Sequence, residues 1–98
     1  MGSDFEVDTA RVREIAGKIK QIASEVSRIA NGNVKTMKNT VSSELKGDTA
    51  KALNNVLTEL ADDIKTISNG LNTVQSTMNR YASRVEAKDR EMASEITG

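Results

Sequence analysis

The sequence predicts an all-α fold: an antiparallel hairpin of two long helices that dimerises into a four-helix bundle. Three observations predict it. The 98 residues contain no proline, one tyrosine and one phenylalanine, with abundant Ala, Lys, Glu, Ile and Leu, a composition that favours helix over strand. From Val12 to Val85 apolar residues recur mostly at alternating steps of three and four, the period of a helix that presents one seam. Glycine coincides with a clear change of pattern in "SSELKGDTAKAL", residues 42–53, near the middle of the chain.

The first run is Val12, Ile15, Ile19, Ile22, Val26 and Ile29, and Asp8 or Thr9 is placed to cap its start. After "NGN" the stripe resumes at Val34, Met37 and Val41, but the step from Ile29 to Val34 is five, one residue too many for the register. Gly32 inside a helix costs about 1 kcal/mol relative to alanine, and a single wide turn or a kink absorbs an extra residue. The reading is one bent helix over 8–44, with a true break at 31–33 as the alternative.

The second run passes through Leu53, Leu57, Leu60, Ile64, Ile67, Leu71, Val74, Met78, Tyr81 and Val85 without a slip, which predicts a helix over 49–95. Asp48 is placed to cap its first turn. Leu45, Lys46 and Gly47 then fall in a turn over 45–48, where glycine permits the backbone reversal that side chains resist. The residues expected to form the hairpin or dimer seam are Ile15, Ile19, Ile22, Val26, Ile29, Leu57, Leu60, Ile64, Ile67, Leu71, Val74, Met78 and Tyr81. The stripe is narrow, because a stretch such as "NGLNTVQSTMNR" is polar around Leu71, Val74 and Met78. Two helices cover such a stripe only in part, and a second hairpin recovers the missing burial, at roughly 1.5–3 kcal/mol per large apolar side chain.

Antiparallel pairing about the bend sets Asp8 opposite Val85, so the segment 85–98 overhangs the first helix. That overhang, "VEAKDREMASEI", keeps Val85, Asp89, Met92 and Ile96 on one face. An apolar strip without cover from its own chain suggests recognition by another molecule; packing on the dimer partner and fraying are the alternatives.

Composition narrows the function classes. The absence of cysteine and histidine removes disulfides, thiol chemistry, zinc sites built on those ligands and histidine acid–base catalysis. Fourteen basic and fourteen acidic residues, with neither sign gathered into a block, argue against a nucleic-acid partner. No stretch approaches the roughly 20 apolar residues that cross a bilayer, so no membrane insertion is expected. The N-terminus "MGSDFEVDTA" is acidic where a secretory signal would be basic. Asp62 and Asp63 are adjacent and diverge around a helix, and Glu86, Asp89 and Glu91 are interleaved with Lys88 and Arg90. Neither group gathers into an acid–base pair or a cation site, so the chain is expected to be no enzyme and to carry no cofactor. Met37, Met78 and Met92 lie on the stripes and read as seam filler.

Taken together, a length of about 100 residues, the central "LKGDTAKAL" and the tail resemble the Trp-X-Gly (WXG) family of small helical hairpins, the EsxA-like and YukE-like substrates of type VII (ESX) secretion. The likeness covers nearly the whole chain. In that family Trp-X-Gly occupies the bend; here Leu45 stands where tryptophan is expected, ahead of Lys46 and Gly47. The family's firmicute export signal is an apolar residue, three spacers, Asp or Glu, two spacers, an apolar residue, three spacers and another apolar residue. Val85, Asp89, Met92 and Ile96 match it position for position; the simpler Tyr-x-x-x-Asp/Glu form is not met, because Val85 is fourth after Tyr81. The resemblance implies a secreted substrate or secretion adaptor, held in the cytoplasm before a signal-peptide-independent export. It implies a homodimer or a heterodimer with a related WXG chain, and recognition of the tail by an FtsK/SpoIIIE-type ATPase. A chaperone-like partner of a larger secreted toxin is the alternative role. Leu45 has apolar area but no indole, so either it serves in the family's ATPase-facing surface or a paired chain supplies the tryptophan.

Overall fold

The computed structural model describes residues 8–97, with side chains to residue 93. The elements are α1 (Thr9–Arg28), a π-helical turn (Ile29–Val34), α2 (Lys35–Glu44) and α3 (Gly47–Thr97). Two long arms lie side by side: α1, the π turn and α2 form the first, and α3 forms the second. The extents are 75 × 19 × 14 Å, so the hairpin is a rod about as long as its 51-residue second arm. No strand occurs among the described residues.

Each end of the first arm has a local cause. The Asp8 carboxylate accepts a hydrogen bond from the Arg11 backbone N–H at 3.0 Å, satisfying one of the free amides of the first turn. Leu45 ends α2 by turning extended, at φ −123° and ψ 157°, while its N–H still reaches the Val41 carbonyl at 2.9 Å. Gly47 reverses the chain at φ 69°, a left-handed conformation that a side chain resists. Because that reversal falls on the first residue of α3, the connection is confined to Leu45 and Lys46, shorter than the turn over 45–48 that the sequence suggests. Asp48 lies inside the first turn of α3, where its charge meets the positive end of the helix dipole.

The π turn takes up the extra residue, so the first arm continues as helix from Thr9 to Glu44. The Ile29 N–H is shared between the Glu25 and Val26 carbonyls, and the Thr36 hydroxyl donates to the Gly32 carbonyl at 3.1 Å. Asn31, Gly32 and Asn33 stay exposed, while Val34 returns to the interface of the two arms at 1% exposure. One residue taken up by the wide turn shifts the phase of all that follows by about 100° relative to a regular helix.

The closest contact between the arms is made by small residues. Ala16, Ala23 and Ala30, spaced by seven on the first arm, are buried, as are Ser68 and Ala82 on α3. Asn54, Ala61 and Gln75, in the same seven-residue row as Ser68 and Ala82, are half-buried. Large residues flank this row: Val12, Ile19 and Val26 face Leu57, Ile64, Leu71, Met78 and Val85, all half-buried. At the centre the Ser68 hydroxyl donates to the Ala23 carbonyl at 2.8 Å, a bond from one arm to the backbone of the other in a buried setting.

Replacing Ala23 by leucine should therefore push the arms apart and destabilise the hairpin by about 1–3 kcal/mol, a drop of roughly 4–8 °C in Tm per kcal/mol for a domain of this size. Gly17→Ala should act in the opposite sense, by about 1 kcal/mol, because a Cβ there meets nothing within 4 Å of its own chain. Thermal unfolding followed by circular dichroism at one fixed protein concentration measures both.

Candidate functional site

Antiparallel pairing places equivalent rows of the two arms on the same face. One row beyond the flanking residues lie Ile15, Ile22 and Ile29 on the first arm, continued after the π turn by Met37. Leu53, Leu60, Ile67, Val74 and Tyr81 lie on α3 at steps of seven. Ile15 is half-buried and the rest are exposed, Ile67 by 56% and Tyr81 by 48%. The residues expected to form the seam thus divide in two: Ile19, Val26, Leu57, Ile64, Leu71 and Met78 flank the contact between the arms. Ile22, Ile29, Leu60, Ile67, Val74 and Tyr81, with half-buried Ile15 at the end of their row, instead form a continuous apolar face that the described residues of the hairpin leave uncovered. Met37, Leu53 and Val56 extend that face, and a contiguous run of exposed large apolar side chains is the mark of an interaction surface.

Near the bend this face deepens into an apolar groove of about 450 Å³ between α2 and α3. Met37, Val41, Leu53, Val56 and Leu57 line it, with Thr36 and Thr40 on one wall. Both threonine hydroxyls donate back along their own helix, to Gly32 and Thr36 respectively, which leaves the lining of the groove almost wholly apolar. At the bend itself Leu45 is 38% exposed.

The opposite face is polar. Lys38 Nζ donates to Thr58 Oγ1 at 2.7 Å and Asn54 Nδ2 to Ser42 Oγ at 2.8 Å, fastening the bend end. Arg13 fastens the open end: its Nη2 lies 2.7 Å from Glu86 Oε1 and donates to Ser83 Oγ at 2.9 Å, and its Nε donates to Glu86 Oε2 at 3.5 Å. The Arg13 hydrogen bond, followed by one from Thr9, holds the Glu86 carboxyl below its usual range, and the same pair raises Arg13. Among the described residues no cluster of acidic side chains is arranged to hold a metal ion.

Beyond this clamp α3 runs on to Thr97. Val85 is half-buried at the open end, Asp89 is exposed and Met92 is 55% exposed. The side chain of Ile96 lies outside the described residues. Asp89, Met92 and Ile96 continue the rows of Ala82 and Val85, so the strip expected as an export signal is an extension of the hairpin seam past the first turn of α1. The alanine row and the Arg13–Glu86 clamp are features that the large-residue stripe alone does not reveal; the legible trace of the first is Ala16, Ala23 and Ala30 at steps of seven.

The model of the family described as proteins of 100 residues with WXG matches residues 4–90. The chain belongs to the WXG100 family. Leu45, Lys46 and Gly47, at the bend, lie inside the matched span, whereas Met92 and Ile96 lie beyond it. No curated protein and no solved structure matches the chain. WXG100 proteins are small helical secreted proteins associated with type VII secretion, and they typically form dimers with WXG partners. No helix among the described residues is long and apolar enough to cross a membrane.

The depressed Glu86 carboxyl fixes the sign of a pH effect. Its contribution is present above the unfolded carboxylate pKa of about 4.3 and is lost as pH falls through the lower folded value. Glu86→Gln should therefore lower Tm near neutral pH, and the gap from the parent protein should close in acid; a gap that persists below pH 3 would assign the effect to packing.

Proposed function

We propose that this chain is a substrate or adaptor of a type VII secretion system, exported as a folded dimer by a signal-peptide-independent route. The system's FtsK/SpoIIIE-type ATPase recognises it through the C-terminal helix. One observation carries the reading: the seam rows of α3 continue at Asp89 and Met92, exposed, beyond the turn where α1 begins. A helix with an apolar strip and one central carboxylate suits docking into a groove, with the strip supplying affinity and Asp89 supplying orientation.

The uncovered apolar face supports the dimeric part of the reading. A face of this size is costly to leave in water, and a second WXG-type hairpin laid on it gives the four-helix bundle. The tail then remains accessible to the ATPase, because its strip belongs to the seam rows and not to the row that forms the dimer face.

The experiment is secretion of the tagged protein in strains with and without the ATPase. Met92→Lys should reduce export at least about tenfold while leaving the helical signal and Tm unchanged, since Met92 is exposed and lies outside the contact between the arms. Undiminished export of this variant, or export without the ATPase, would remove the tail from the recognition step.

A further inference from the structure

The apolar face has one feature at each end that finds no counterpart among the described residues of its own chain. At the bend end is the groove of about 450 Å³. At the open end is Tyr81, the single tyrosine of a chain without tryptophan, 48% exposed. Leu53, on the wall of the groove, and Tyr81 are the two ends of one row at steps of seven, and Ile67 lies at its midpoint.

We propose that Tyr81 of a second copy of this chain seats in the groove between α2 and α3, each copy filling the other. This rests on the dimeric reading above and names its partner and register. A two-fold axis through the Ile67 level exchanges the ends of the row: Tyr81 meets Leu53, Val74 meets Leu60, and Ile67 meets its own equivalent. A two-fold contact is self-complementary, so a knob and a hole on one face at equal distances from the axis satisfy each other twice. The contact is antiparallel by necessity, because knob and hole lie about 40 Å apart along α3. The groove suits an aromatic ring in chemistry as well as position, because Met37, Val41, Leu53, Val56 and Leu57 make its lining almost wholly apolar. Gly70, one turn from Ile67, leaves the backbone bare near the axis; a Cβ there meets nothing within 4 Å of its own chain. Its place inside a helix, at a penalty of about 1 kcal/mol, is consistent with close approach by another copy.

The absence of cysteine makes the register directly testable. Chains carrying Tyr81→Cys and chains carrying Val56→Cys, mixed and oxidised, should cross-link to each other and not to themselves, whereas Ile67→Cys chains should cross-link to themselves. In the unaltered protein, quenching of the Tyr81 fluorescence by acrylamide should fall several-fold as concentration drives association. Tyr81→Ala should raise the dimer Kd at least about tenfold, as expected for an aromatic anchor buried in a pocket of its partner. Cross-linking of Ile67→Cys without the mixed product, together with an unprotected Tyr81, would overturn the groove assignment and leave the dimeric reading standing. Self-linking of the Tyr81→Cys chain would mean parallel hairpins and overturn it as well. A protein that sediments as a monomer at every concentration and gives no cross-link would overturn self-association itself, and the groove assignment with it.

Discussion

The structure depends on how closely its two arms approach. Ala16, Ala23 and Ala30 meet a row on α3 that contains Ala61, Ser68 and Ala82, and the Ser68 hydroxyl reaches a backbone carbonyl across the gap. Small side chains let two helices lie near each other, but they also leave little room between the arms for anything larger. Leucine and isoleucine are therefore displaced to the flanks. One set of flanking residues closes the contact and the next row is left facing outward. The same choice of small residues that makes the hairpin thin also makes it one-sided.

One-sidedness sets the division of labour along the molecule. The polar face carries the fastenings, Lys38 to Thr58 at the bend and Arg13 to Glu86 at the open end, and these need no partner. The apolar face has ample surface for association, and the bend end of that face is hollow. The tail continues the rows of the inter-arm contact, so it occupies neither face. Membership of the WXG100 family gives this arrangement its context, because proteins of that family pair with one another and are associated with type VII secretion.

Much of the fold was legible because the chain has few competing signals. With no proline and one glycine-containing change of pattern near its middle, the position of the bend follows from Gly47, and the five-residue step from Ile29 to Val34 marks the wide turn. The face assignments were less legible. Two large apolar residues per heptad read as one stripe, yet the contact runs along a third row that contains Ala23 and Ser68, and hydrophobicity alone gives such residues little weight. The groove could not be read from sequence at all, since it arises from the spacing of α2 and α3 around residues that are individually ordinary. Pairing arithmetic, by contrast, transferred well. The expected proximity of Asp8 to Val85 agrees with a Glu86 bonded to Thr9 and Arg13.

The slenderness of the hairpin governs how it looks in solution. A radius of gyration of 22.0 Å belongs to this 98-residue chain, whereas a compact domain would need roughly 400 residues to reach the same value. Drag and scattering respond to that span before they respond to mass. A single rod therefore travels through a sizing matrix like a much heavier sphere, and two rods laid flank to flank lengthen it little while doubling its weight.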